Sequence, residues 1–273
     1  MNKILKPLVI VLVSLFLSGC IEIQTKVNIN NDGSGTVEET VMMSNEMIQM
    51  LNEFITGFAS DTTQPEEFKL YKEEDLKKRE TDLGEGVKLV SGSEIKTESK
   101  EGYKVLYSFA DLNKLKIDQS PDSRIPDDVS GDEVKDKNYI TFSFNKGNTS
   151  EVKINMPLSQ KDEEGNEIET EVEAEEDSVK EGDLSEMKFF LKDLSISLIV
   201  EVNGEIVETN ADHHEGSEVT LFNLNFGELL DNAQKLEELT KINPNSLKEL
   251  KEVMKDIPGI KIETNDPVVI KFR

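Results

Sequence analysis

Thiols and imidazoles, the side chains best suited to covalent and transition-metal chemistry, are scarce in this chain. It has one cysteine, Cys20, and two histidines, His213 and His214. A single thiol excludes an internal disulfide and leaves one nucleophile that can take a covalent group. Neighbouring side chains on an extended strand point to opposite faces, so His213 and His214 cannot readily share one metal; they read as part of a solvated loop beside Asp212 and Glu215. Asn28-x-Asn30-x-Asp32-Gly33-x5-Glu39 comes close to a calcium-loop pattern. Its flanks alternate like strands rather than repeat like helices, which would splay Asn28 from Glu39, and the segment reads as a hairpin turn. There is no Gly-x-Ser-x-Gly elbow, no metal-spaced histidine pair and no phosphate-binding glycine loop. The reading is therefore a non-enzymatic protein with no catalytic residue, no metal ligand and no cofactor.

What surrounds Cys20 gives that thiol a purpose. Lys3 and Lys6 precede an uncharged run from Leu8 to Phe16, the basic-then-apolar layout of a secretory signal. A membrane-spanning helix needs roughly 20 apolar residues, and this run stops after Leu17. Leu17-Ser18-Gly19-Cys20 resembles the lipobox of bacterial lipoproteins: an apolar residue, two small ones, then the acceptor cysteine. The resemblance implies cleavage of residues 1–19, Cys20 as the mature N-terminus, and acyl chains on Cys20 that hold the protein at the extracytoplasmic face of the cell membrane. A single acyl chain binds only marginally, at about 0.8 kcal/mol per buried methylene, whereas two or three anchor stably. Ile21 follows the cysteine, not the Asp that commonly retains lipoproteins at an inner membrane.

Charge restricts the partners. Asp and Glu number 56 against 31 Lys and Arg, a formal charge of −25, and removal of Lys3 and Lys6 with the signal leaves −27. A nucleic-acid binder needs a basic face that releases counterions, so nucleic acid is excluded as a partner. The same negative body would be repelled by anionic headgroups, which is why its anchoring must be covalent. Apolar residues make up 36% and fall in patterned runs, which argues against wholesale disorder.

The elements that follow Cys20 begin at once. Ile21, Ile23, Val27 and Ile29 alternate with polar residues, Asn31 to Gly35 turns, and Thr36 to Met43 returns. Ser44 is a suitable helix cap, and Met47, Ile48, Met50, Leu51, Phe54, Ile55 and Phe58 recur at helical spacing. Four of the chain's eight methionines lie between Met42 and Met50. Methionine repacks around irregular apolar shapes, so Met43, Met47, Met50 and Phe54 define a candidate ligand groove, with a helix-on-sheet core as the plainer reading. A short helix is expected around Glu73 to Lys78, then strand pairs at Val87–Ile95 with Tyr103–Phe109 and at Tyr139–Phe144 with Val152–Met156, separated by a Pro/Asp/Ser-rich stretch at 118–137.

Residues 161–183 hold 12 acidic residues in 23 positions and two lysines, the pattern of a mobile, solvated acidic arm. Ser195–Val202, Asn203-Gly204 and Glu205–Thr209 give the strongest hairpin signal, an Asn-Gly turn between alternating segments. Two helical stripes follow, Leu229 to Thr240 and Leu247 to Ile257, and strand patterns at Ile260–Ile262 and Val268–Phe272 close the chain. The expected architecture is α+β: an antiparallel sheet built from hairpins with helices packed on one face. Its divisions are a signal peptide at 1–19, an N-terminal α+β half at 20–118, a hairpin plus acidic arm at 119–183, and a C-terminal α+β half at 184–273.

The order of lipobox, immediate strand, Asp32-Gly33-Ser34-Gly35 turn, strand and helix is similar to bacterial lipoproteins of the LppM type. Gly204-x-Ile206, Asn210, Gly216 and Val219-Thr220-Leu221 resemble their closing hairpin, with Leu221 where such proteins often carry Trp. The resemblance implies an anchored α+β domain that binds lipid or glycolipid. The alternative reading is a protein-interaction or scaffold module whose acidic arm meets a basic partner.

Overall fold

A computed structural model describes residues 21–58, 67–118, 139–156, 194–227, 257 and 259–273. In chain order these form β1 (Ile21–Ile29), β2 (Gly35–Ser44), α1 (Asn45–Phe58), α2 (Glu73–Leu83), β3 (Lys88–Lys96), β4 (Lys100–Phe109), a 3-10 turn (Leu112–Lys114) and β5 (Lys116–Asp118). Then come β6 (Tyr139–Asn145), β7 (Ser150–Asn155), β8 (Ser195–Val202), β9 (Ile206–Thr209), β10 (His214–Glu215), β11 (Glu218–Asn225), β12 (Ile260–Ile262) and β13 (Val268–Phe272). The class is α+β, with strand the dominant element.

Three hairpins form where turn chemistry and alternation predict them. β1 pairs with β2 in a continuous antiparallel register from Ile21↔Met43 to Ile29↔Gly35. The turn between them has Gly33 at φ 86°, and the Asp32 carboxylate accepts from the Ser34 N–H at 3.0 Å and hydroxyl at 2.6 Å, an aspartate turn of the kind that favours reversal. β3 pairs with β4, and β6 with β7. The helix at Glu73 runs on to Leu83, past the Lys78 limit expected of it, because Leu76, Arg79 and Leu83 continue one buried stripe.

The sheet differs from expectation in two ways. There are two sheets: an eight-stranded one in the order β10-β11-β8-β1-β2-β4-β3 with β12 on β11, and a five-stranded one in the order β5-β6-β7-β13-β9. The larger is mixed, because β8 lies parallel to β1, from Glu22↔Ser195 to Ile29↔Val202.

The expected β8–β9 hairpin does not form. Both sides of β8 are taken, by β1 and by β11, and β9 pairs instead with β13 in the other sheet. Asn203-Gly204 is the crossing between sheets: the Asn203 N–H donates to Ile29 O at 2.7 Å, and the Glu205 N–H to Arg273 O at 2.9 Å. Gly204 is absent from the glycines at positive φ, so the conformation that makes Asn-Gly a hairpin turn is not adopted. Gly is needed there for a different reason, since a Cβ would collide with the Arg273 carbonyl oxygen.

One apolar core runs through both sheets. Ile23, Val27, Val37, Val41, Leu198 and Val200 of the larger sheet join Ile140, Val152, Ile154, Ile270 and Phe272 of the smaller. Met47 and Leu51 of α1 and Leu76 and Leu83 of α2 belong to the same cluster. A second, small cluster comprises Ile257 and Ile260 with Leu224, Phe226 and Ile262. The opposite surface of the larger sheet is polar: Glu22 and Gln24 of β1 are exposed, and Lys26 and Asn28 half-buried. Among the described residues no helix is long and apolar enough to cross a membrane. The signal segment with Leu17, Ser18, Gly19 and Cys20, the acidic arm and the two helical stripes up to residue 256 lie outside the described residues.

Candidate functional site

β1 has structure from its first residue. Ile21 is 2% exposed and pairs with Met43, while Glu22 pairs with Met42 on one side and Ser195 on the other. Cys20 is thus bonded directly to a central strand of the larger sheet. Around this end lie the β3–β4 turn and the start of α1, joined by the Asn45 N–H donating to Ser99 O at 3.0 Å and Asn45 Nδ2 donating to Glu98 O at 3.1 Å. Lys100 sits 3.1 Å from Glu22, and Lys96 lies 3.2 Å from both Glu94 and Glu101. Those hydrogen bonds raise the Lys96 ammonium above its ordinary pKa.

The residues of the expected groove do not share a surface. Met43 and Met47 are core side chains, 0% and 3% exposed, whereas Met50 faces outward at 44%. α1 begins where Ser44 Oγ accepts from the Met47 N–H at 3.2 Å, which turns Met47 inward against β2. The Phe54 side chain lies outside the described residues. The plainer helix-on-sheet reading therefore fits Met43 and Met47.

A buried charged cluster has no counterpart in the sequence-based expectations. Glu39 occupies an inward position of β2 between Val37 and Val41 and is fully buried. Arg79, on the inner stripe of α2, places Nη2 2.8 Å from Glu39 Oε1, with side chains 8% and 0% exposed. Thr25, opposite Glu39 in the register, donates to the same oxygen at 3.5 Å. Tyr107 donates to Leu76 O at 3.0 Å and the Leu89 N–H of β3 donates to Glu80 Oε1 at 2.8 Å, so polar contacts to three strands tie α2 to the sheet. Burial opposes the Arg79 charge, but Glu39 and the neighbouring Tyr103 and Tyr107 outweigh it and hold the guanidinium proton more firmly than usual. A signal was available: Glu39 falls in the inward phase of an alternating strand, and Arg79 sits three and four residues from Leu76 and Leu83 on a helix. The cluster is closed to solvent, and what it can do chemically is clamp α2.

Burial and then the Glu39 charge raise the Tyr107 phenol well above its ordinary pKa of 10.0, with Arg79 opposing. The folded state therefore keeps the proton that the unfolded chain gives up. Stability from this group is complete below about pH 10 and is lost as pH rises beyond it. Alkaline titration at the tyrosinate absorbance band is expected to show late ionisation that Tyr107→Phe diminishes by one group.

On the polar face, Lys26 lies 2.8 Å from Glu201 and 2.6 Å from Glu218. These two acids are direct cross-strand partners, an unfavourable pairing unless a cation stands between them. Hydrogen bonds that the Lys26 ammonium donates to both raise its pKa, so its contribution holds below the ordinary lysine range and fades above it. Lys26→Met is expected to lower stability by about 1 kcal/mol, and Glu218→Gln in that background to regain part of it in urea melts, since the group is partly solvated.

Glu263, fully buried, stitches the β12–β13 link to the 210–212 loop. Its carboxylate accepts from the Asp212 N–H at 2.6 Å, the Thr264 N–H at 2.8 Å, the Asn265 N–H at 2.9 Å and Asn265 Nδ2 at 2.7 Å. Glu39 is thus committed to Arg79 and Asn28 to Thr36, Nδ2 to Oγ1 at 3.3 Å; the calcium-like pattern is a strand pair. His214 is exposed in β10, with His213 just before it. Among the described residues no group of three or more His, Cys, Asp or Glu side chains converges enough to hold a metal.

Comparison with known proteins gives little. No protein-family model matches the sequence, and no curated protein matches it. Among solved structures, the NMR structure of the folded domain of LppM from Mycobacterium tuberculosis aligns over 94% of this chain and 91% of that one, at 11% identity and a TM-score of 0.34. A likeness that distant transfers no role to this chain.

Proposed function

We propose that this chain is a lipoprotein of the cell envelope, exported, cleaved before Cys20, acylated there and held at the extracytoplasmic face, where its acidic domain serves as a non-catalytic interaction module. One observation carries the reading: the sole cysteine ends a lipobox-like Leu17-Ser18-Gly19-Cys20 and is followed, with no intervening linker, by the first residue of a paired central strand. A folded domain at that distance stays at the bilayer surface. Metabolic labelling with a clickable palmitate is expected to mark the protein on Cys20; a processed, membrane-bound but unlabelled product would remove the reading.

For the partner, the favoured class is a protein with a basic surface. A mature body of −27, the −25 of the full chain less Lys3 and Lys6, attracts opposite charge over the Debye length of about 8 Å and speeds encounter, and the described polar sheet face is set with hydrogen-bonding side chains. Crosslinking in intact cells, with and without residues 161–183, is expected to recover such a partner less well when the acidic segment is deleted. Lipid or glycolipid binding is the second reading, supported by Met50 at the surface. Native mass spectrometry of the detergent-extracted protein showing a bound lipid beyond those on Cys20 would favour it.

A further inference from the structure

The acylated end of the larger sheet has a geometry that limits how the domain can sit. β1 is its central strand, and at the Ile21 end β8, β11 and β12 lie on one side and β2, β4 and β3 on the other. At ~4.8 Å between strands, the sheet reaches about 14 Å to either side of the anchor point. Cys20 is one Cα step, ~3.8 Å, from Ile21, and Ile21 is already buried and paired. In-plane tilting in either direction therefore drives strand ends into the bilayer: Lys96 to Lys100 and Ser44 on one side, Ser195 and Asn225 on the other.

Geometry rather than charge carries this orientation. At this end Glu22 is paired with Lys100, and Glu94 and Glu101 share Lys96, while Glu46 and Glu98 are exposed, so the negative charge is only partly offset and zwitterionic headgroups are the compatible ones.

We propose that this end, comprising Glu22, Asn45, the β3–β4 turn at Thr97 to Ser99 and the β8 and β11 termini at Ser195 and Asn225, is a surface that rests on phospholipid headgroups. The domain then stands upright on its anchor. β1 has nine residues, which at ~3.3 Å each puts the Asn30–Ser34 turn about 30 Å from the bilayer. The smaller sheet, joined to that far turn by the Leu112 N–H donating to Gly33 O at 2.9 Å and by Phe144 against Gly33, is the outward-facing part. This orientation rests on acylation of Cys20, so the test must separate the two.

With the native thiol consumed by the anchor, any introduced cysteine is the single site for a thiol-reactive fluorophore. Full-length acylated Glu98→Cys, Thr36→Cys, Val90→Cys and Asn31→Cys are compared in vesicles containing headgroup-nitroxide lipid. Glu98, in the turn, is expected to lose fluorescence as nitroxide lipid rises, with Ser99→Cys as its second probe. Asn31 at the far end and Thr36, opposite Asn28 on the polar sheet face, are expected to keep theirs, as is Val90, 56% exposed on the edge strand. Acylated protein that is quenched at Thr36 lies flat, quenched at Val90 lies on its edge, and unquenched at Glu98 and Ser99 stands clear; each overturns the orientation and leaves the anchor intact. A mass of the N-terminal tryptic peptide without acyl groups overturns both.

Discussion

Cys20→Ser is expected to leave the protein unlabelled by palmitate and uncleaved at the Gly19–Cys20 bond, and to abolish its partition into the detergent phase as a processed species. The physical reason is the size of the term removed. At about 0.8 kcal/mol per buried methylene, a sixteen-carbon chain contributes on the order of 10 kcal/mol, and the mature protein carries at least two such chains under the proposed reading. Nothing else in the described structure replaces it. No described helix is long and apolar enough to span, and a body of −25 gains nothing from anionic headgroups. Fractionation and the mass of the extracted protein check the outcome. A serine variant of unchanged mass shift and unchanged membrane retention would mean that another group holds the protein.

Arg79→Leu is expected to cost about 3–5 kcal/mol, the range for removing one member of a buried ion pair and leaving the other charge in a dry interior. That is a large share of the roughly 5–15 kcal/mol that stabilises a typical domain. Glu39 cannot turn to solvent, because it is fully buried in the middle of β2 and held in register by Thr25 and Val105 on the flanking strands. Replacing both partners, Glu39→Leu with Arg79→Leu, is expected to recover most of the loss, since an apolar pair of similar volume has no charge to desolvate. Urea melts of the two single variants and the double variant give the coupling energy. A single-variant loss below about 1 kcal/mol would show that the pair is solvated and that α2 is held by its other contacts, Leu76, Leu83, Tyr107 and the Glu80–Leu89 hydrogen bond.

Legibility divided along contact distance in the chain. The hairpins β1–β2, β3–β4 and β6–β7 could be read directly because each is closed by a few turn residues and both arms alternate; Gly33 at positive φ and the Asp32–Ser34 bonds are local facts. The start of α1 was equally legible, from Ser44 and the apolar spacing after it. The same local logic misassigned Asn203-Gly204. Turn propensity there competes with edges already filled by β1 and β11, and the tertiary pairing prevails.

In the candidate site, residue types and spacing alone determined a single thiol set directly before a strand, an acidic body, and the α+β alternation, because residue type, charge and period-two patterning are properties of neighbouring residues. Only the tertiary structure decided that β8 runs parallel to β1 across more than 160 residues of chain, that Met43 and Met47 face the core rather than a groove, and that Glu39 meets Arg79. Each of these depends on which strand edge or interior volume a distant segment reaches first, and burial rather than local preference sets that choice.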